Sequence, residues 1–174
     1  MSEYQYYEFL AVDQPLGKED IAALRALSTR ARITATSFTN HYNWGSFRGD
    51  PMKLMARWFD LHLYFANWMS RRLMIRLPKR LLDKTRLLTF LRDVGCIEIE
   101  TSGENVIIDI WHDYEPSESS GDDDGSGWLS GLAPLRADLL SGDWRIFYLL
   151  WLGEVQAGTV KDHETEPLGG HRPA

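Results

Sequence analysis

The sequence predicts an α+β domain: a mixed or antiparallel sheet with a β-hairpin, packed against amphipathic helices, the last of them aromatic-rich. Three observations predict it. Strand-like and helix-like stretches alternate irregularly instead of in a βαβ rhythm. Residues 97–100 and 106–110 flank a short polar turn as antiparallel neighbours. The composition, 44% hydrophobic and 25% charged, is that of a chain that buries a core.

Each element follows from its local pattern. Residues 3–12 place Tyr4, Tyr6, Leu10 and Val12 on one face of a strand and Tyr7, Phe9 and Ala11 on the other. Both faces call for burial, which puts this strand inside the sheet. Asp13 to Gly17 is turn chemistry, and Ile21, Ala23, Leu24 and Leu27 then recur at helical spacing. The β-branched and aromatic residues of 33–44 predict a second strand, ended by Gly45. Asp50 as cap and Pro51 at the first helical position open a helix, with Leu54, Trp58, Leu61, Phe65 and Trp68 as its apolar stripe.

Residues 73–77 predict a short strand stopped by Pro78, and residues 79–92 an amphipathic helix closed by Gly95. With Ser102-Gly103 as a two-residue turn, Ile99 faces Val106 and Ile97 faces Ile108. Residues 114–127 carry acids, Ser, Gly and Pro without an apolar period and predict a flexible acidic loop. Beyond it, the leucines of 129–140 predict a helix broken at Pro134. Trp144, Phe147, Tyr148, Trp151 and Val155 predict another that begins near Asp143. Residues 1–157 are expected to form one globular domain and 158–174 a disordered tail.

A single cysteine, Cys96, excludes a disulfide framework and a CxxC pair. The first thirty residues contain five acids and no signal-peptide pattern, and no apolar run is long enough to span a bilayer, so a cytoplasmic protein with no membrane partner is expected.

Charge is segregated. Residues 71–92 hold eight Lys and Arg against Asp83 alone, whereas residues 93–128 hold eleven acids and no Lys or Arg. Arg71, Arg72, Arg76, Lys79 and Arg80 are therefore candidate contacts for a polyanion such as nucleic acid. Neutralisation of the basic run by the acidic hairpin and loop is the competing reading, and a net charge of −6 favours it.

Motifs for most enzyme chemistries are absent. Aligned on a calcium loop, Asp122-Asp123-Asp124-Gly125 puts Gly131 where a bidentate Glu is required. The five histidines, His41, His62, His112, His163 and His171, show no metal-ligand spacing. There is no nucleophile elbow and no phosphate-binding glycine loop, and Cys96 lies among acids that raise a thiol pKa. No cofactor and no catalytic residue is assigned. Glu98, Glu100 and Asp109 would share the non-core face of the hairpin, as surface acids or as an unrecognised carboxylate site. Asn40, His41 and Asn43, interleaved with Tyr42 and Trp44, form a candidate polar site or serve the turn that follows.

Ser2-Glu3 with the YQYYEF start at Tyr4–Phe9, Leu24-Arg25-Ala26-Leu27-Ser28, Gly49-Asp50-Pro51-Met52-Lys53-Leu54, Phe65-Ala66-Asn67-Trp68, Leu77-Pro78-Lys79-Arg80-Leu81-Leu82, and Gly127-Trp128-Leu129 with Pro134-Leu135-Arg136 and Gly142-Asp143 follow one another along the chain. In order and spacing these segments resemble the N-terminal part of an uncharacterised family of bacterial proteins. The resemblance covers most of residues 1–157. It implies no activity, cofactor or site residue; it does imply a bacterial setting, including defence loci such as type III CRISPR accessory genes.

The run Ile146 to Leu152 has no polar residue, so a helix there needs cover on every side. The expectation is a non-enzymatic, regulatory or adaptor component that binds another protein or itself through Trp144, Phe147, Tyr148 and Trp151. Nucleic-acid binding through the basic run is the alternative, and an enzyme with an unrecognised carboxylate or histidine site is the third reading.

Overall fold

Tyr, Phe and Leu on both faces of the first strand dictate its position: β1 (Gln5–Leu10) pairs antiparallel with β3 (Ser37–Tyr42) on one side and β4 (Leu61–Ala66) on the other. The computed structural model describes residues 3–91, 94–113 and 123–156. Beyond β4 the sheet continues through β5 (Ser70–Pro78) to β7 (Asn105–Asp113) and β6 (Ile97–Ser102), and short β2 (Arg32–Ile33) flanks β3. Among the described residues the sheet has seven strands, antiparallel throughout, in the order β2-β3-β1-β4-β5-β7-β6. This is the α+β class the sequence predicts, with a hairpin at one edge.

Period-two alternation gives the sheet two apolar faces, and helices cover both. One face presents Tyr6, Leu63, Ile75 and Ile108 to α3 (Lys84–Phe90), α4 (Trp128–Leu132), α5 (Pro134–Leu140) and α6 (Arg145–Gln156), through Leu87, Leu129, Leu139 and Phe147. The opposite face presents Phe9, Phe38, Met74 and Ile107 to Leu24 of α1 (Lys18–Leu27) and to Leu54 and Met55 of α2 (Pro51–Arg57). Among the described residues no helix is long and apolar enough to cross a membrane.

Four expectations are corrected. The helix opened by Asp50, whose carboxylate accepts the N–H groups of Met52 and Lys53, ends at Arg57, and residues 61–66 are a strand. Leu61 and Phe65 stand four apart, a spacing that suits a helix face and alternate positions of a strand equally. The predicted strand over 33–44 is two strands. The Thr34 hydroxyl pairs with Ser37 Oγ at 2.6 Å and accepts the Thr36 N–H at 3.2 Å, closing a tight turn between β2 and β3.

The predicted helix over 79–92 is a 3-10 turn (Lys79–Leu81) followed by α3. Asp83 interrupts it by capping the N–H of Arg86 at 3.0 Å. In the hairpin the turn is Gly103-Glu104, with Gly103 at φ 56°, and Ile99 faces Ile108 while Ile97 faces Ile110. Only a residue without Cβ takes that φ readily at the first turn position, so the turn sits one residue further along than predicted. Because the pairing slips by two, every side chain keeps its predicted face. The tail at 158–174 and residues 114–122 of the acidic loop lie outside the described residues.

Candidate functional site

β4 carries a histidine among apolar neighbours, Leu-His-Leu-Tyr-Phe-Ala, and the pleat turns His62 inward on the face shared with Phe9. The imidazole is 0% exposed and stacks on the Phe9 ring at 3.9 Å, its cross-strand partner in the β1–β4 ladder. Burial, with the nearby Arg72 charge as a lesser contribution, drives its pKa down to about 3 against the opposing effect of the Glu8 carbonyl. The ring is therefore neutral at ordinary pH. Its Nδ1 lies 2.9 Å from the Glu8 carbonyl oxygen, which only accepts, so Nδ1 carries the proton. Nε2 is left as a bare acceptor, buried and without a hydrogen-bond partner among the described residues.

His62 lines a cavity of about 330 Å3 beside the start of α2. Aromatic rings wall it: Tyr7, Phe47, Tyr64 and Trp111. The phenols of Tyr7 and Tyr64 both donate to Gln5 Oε1, at 2.9 and 3.2 Å, and burial raises both pKa values, so they stay protonated. Arg72 enters from β5. Its Nε and Nη2 donate to the two oxygens of Asp109 at 2.9 and 2.7 Å, and its guanidinium lies 4.2 Å from the Trp111 ring centre. Nη1 has no hydrogen-bond partner among the described residues. At the rim, Ser70 Oγ donates to Asp113 at 2.6 Å.

The arrangement is one of fixed, opposed polarity in an aromatic box. It offers an acceptor at His62 and a donor at Arg72, with the Arg72 charge already balanced by Asp109. A base with a pKa near 3 is a poor proton acceptor at neutral pH, so what His62 offers there is a hydrogen-bond acceptor.

No protein-family model, curated protein or solved structure matches this chain.

The residues singled out in the sequence are distributed otherwise. Trp144 and Phe147 belong to the core under α6, whereas Tyr148 and Trp151 are half-buried and stack on each other at 5.8 Å. The expectation that residues 146–152 have no solvent face is corrected: Leu149 is 60% exposed, on the outer side of the helix. Arg71, Arg72 and Arg76 are not a surface run. Arg71 lies 3.5 Å over the Phe65 ring and donates to the Ala66 carbonyl at 2.5 Å, Arg72 pairs with Asp109, and Arg76 pairs with Asp60. Lys79 and Arg80 are exposed.

Asn40 and His41 point to opposite faces of β3. Asn40 is buried and donates to Ser28 Oγ and Tyr42 Oη at 2.7 and 2.8 Å, while His41 and Asn43 are exposed, so the three are not brought together. Glu98 and Asp109 do oppose each other across the hairpin, yet Asp109 is buried and Glu98 is exposed. Asp123 and Asp124 accept the N–H groups of Gly125 and Ser126 in short Asx turns that lead into α4. No group of three metal-ligating side chains comes together among the described residues.

His62 was missed because residues 61–68 read as helix, where it falls outside the apolar stripe. Had the segment been taken as an interior strand, a histidine flanked by leucines would have stood out as a buried polar group that needs a partner.

Proposed function

We propose that this domain is a binding module for a small ligand held in the cavity between His62 and Arg72. One observation carries the reading: Nε2 of His62 is buried, unprotonated and unpartnered in a residue that lines an aromatic cavity. A buried acceptor left without a donor costs about 1–3 kcal/mol, which a ligand bearing an N–H or O–H recovers. Binding without turnover agrees with a neutral imidazole and with the regulatory role expected of the chain.

A fragment set spanning neutral, anionic and cationic small molecules tests it, read by the 15N resonance of His62 Nε2, which shifts when the lone pair accepts a hydrogen bond. The expected result is a saturable shift with at least one fragment, whose affinity drops in His62→Phe, a variant that keeps the ring stack on Phe9. A resonance that no fragment moves overturns the proposal.

The outer side of α6 favours a second reading, contact with another protein chain. Leu149 stands exposed beside a hollow of about 320 Å3 that it shares with Leu135, Ile146 and Tyr148. Solution mass by light scattering at low and high salt tests self-association. A mass above that of the monomer at both salts, reduced by Leu149→Glu, is the supporting outcome.

A further inference from the structure

Resting on that reading, we infer that the ligand is an uncharged planar heterocycle of the nucleobase type, presenting an N–H donor beside a carbonyl or ring-nitrogen acceptor on one edge. Two polar atoms on residues that line the cavity have no hydrogen-bond partner among the described residues, and they are complementary. His62 Nε2 only accepts, so the ligand brings a donor. Arg72 Nη1 only donates, so the ligand brings an acceptor. Arg72 and His62 line one cavity, so a single small molecule in it lies between the two residues.

Planarity follows from the walls. Tyr7, Phe47, Tyr64 and Trp111 supply flat apolar surface, and rings pack on such surfaces in offset or edge arrangements. The absence of formal charge follows from the balance of the site. Arg72 is paired with Asp109, His62 is neutral, and Asp113 at the rim adds a carboxylate through Ser70. A phosphate or carboxylate would meet no uncompensated cation there, and a cation would meet the Arg72 guanidinium. A cavity of about 330 Å3 is at the small end for drug-sized ligands and suits one or two fused rings.

Such an edge belongs both to free bases and nucleosides and to an unstacked base in a single strand. Both sources share this chemistry and are separated by experiment.

The test uses the unaltered protein and two matched probe pairs: uracil with 1,3-dimethyluracil, and 9-methyladenine with its N6,N6-dimethyl derivative. Each methylated partner keeps the ring and loses the donor. The expected result is that at least one parent base shifts the His62 Nε2 resonance and binds about 10-fold or more tighter than its methylated partner. In His62→Phe the two members of that pair bind alike. A short oligonucleotide of the preferred base that binds more tightly than the nucleoside assigns a single strand, and equal affinity assigns the free base.

Equal affinity of parent and methylated base in the unaltered protein overturns the class of ligand. So does preference for a planar anion such as benzoate, or binding only of a non-planar fragment. In each of those cases the cavity still binds a small molecule and the broader reading stands, whereas silence across the whole fragment set removes both.

Discussion

Asp60 and Arg76 meet at one end of the sheet, where the carboxylate of Asp60, 1% exposed, receives the Arg76 guanidinium through Nε and Nη2 at 3.1 and 2.8 Å. The other oxygen of Asp60 accepts the backbone N–H groups of Val12 and Asp13 at 2.7 and 2.9 Å. Arg76 in turn donates Nη1 to the carbonyls of Met55 and Ala56, near the end of α2. Arg136 closes the group from α5, bidentate to Asp13 at 2.8 and 2.6 Å and donating to the Arg76 carbonyl at 2.9 Å. One buried carboxylate thus ties β1, β4 and β5 together, and Arg136 adds the helical layer over the other sheet face.

Removing that carboxylate leaves Arg76 partly buried without its counter-ion and two backbone donors without an acceptor. Asp60→Ala is expected to cost about 3–5 kcal/mol, the range for breaking a buried pair on one side, and Asp60→Asn less, since an amide oxygen still serves Val12 and Asp13. Urea unfolding checks this: the midpoint falls with the slope unchanged. A midpoint within error of the parent protein would remove Asp60 from its structural role.

The buried histidine on β4 sets an acid limb in the stability curve. Its pKa is about 3 folded, through burial, against an ordinary value near 6.5 unfolded, so between those values the unfolded chain binds the proton and the native one does not. Stability is fully present above about pH 6.5 and falls as pH drops toward 3. Asp60, held below the usual carboxylate range because its hydrogen bonds to Asp13, Arg76 and Val12 outweigh its burial, adds a further loss at lower pH, beneath its ordinary pKa. Thermal unfolding from pH 7 to 5 reads the histidine against a smaller opposing effect of Glu8, whose carboxyl burial pushes above its ordinary range, and His62→Phe is expected to remove the loss over that interval. A loss that persists would place the proton uptake elsewhere.

Much of the fold was legible because its signals are local. The two-faced apolar pattern of residues 3–12 placed β1 inside the sheet, Asp50-Pro51 marked the start of α2, and Pro134 and Asp143 marked the starts of the last two helices. What was not legible depends on pairing between distant segments. Residues 61–66 satisfy helix and strand spacing together, and only the ladder to β1 and β5 decides between them. The candidate cavity inherits that ambiguity, since His62 faces it only if β4 is a strand. The role of Arg72 was hidden for a related reason. Its partner, Asp109, lies 37 residues away and reaches it through the β5–β7 register, so a run of charge conceals an internal pair.

Two turn positions respond in opposite directions to substitution. Met69 holds φ 74° in the β4–β5 turn, a conformation that costs a side-chain-bearing residue about 1 kcal/mol, so Met69→Gly is expected to be neutral or to stabilise slightly. Gly125 holds φ 79° and packs so closely on Phe65 that a Cβ would sit 2.8 Å from the Phe65 Cβ. Gly125→Ala is expected to destabilise by about 1–3 kcal/mol, through strain and overpacking together. Melting temperatures of the two variants, measured side by side, check the contrast.

The lone thiol reports on the seating of α6. Burial, and then the carboxylate of Glu154, push the Cys96 thiol up to about 11. Only the thiolate reacts, so at pH 8 alkylation is expected to run about 100-fold slower than for an unhindered cysteine. Glu154→Gln removes the repelling charge and is expected to speed the reaction, while unfolding in urea restores the full rate. If α6 takes part in contact with another chain, a partner that lifts the helix uncovers Cys96 and accelerates labelling, and one that docks on the outer side at Leu149 leaves it slow. The rate thereby distinguishes a contact made on the helix from one that displaces it, and a fast reaction in the free protein would show that α6 does not protect the thiol at all.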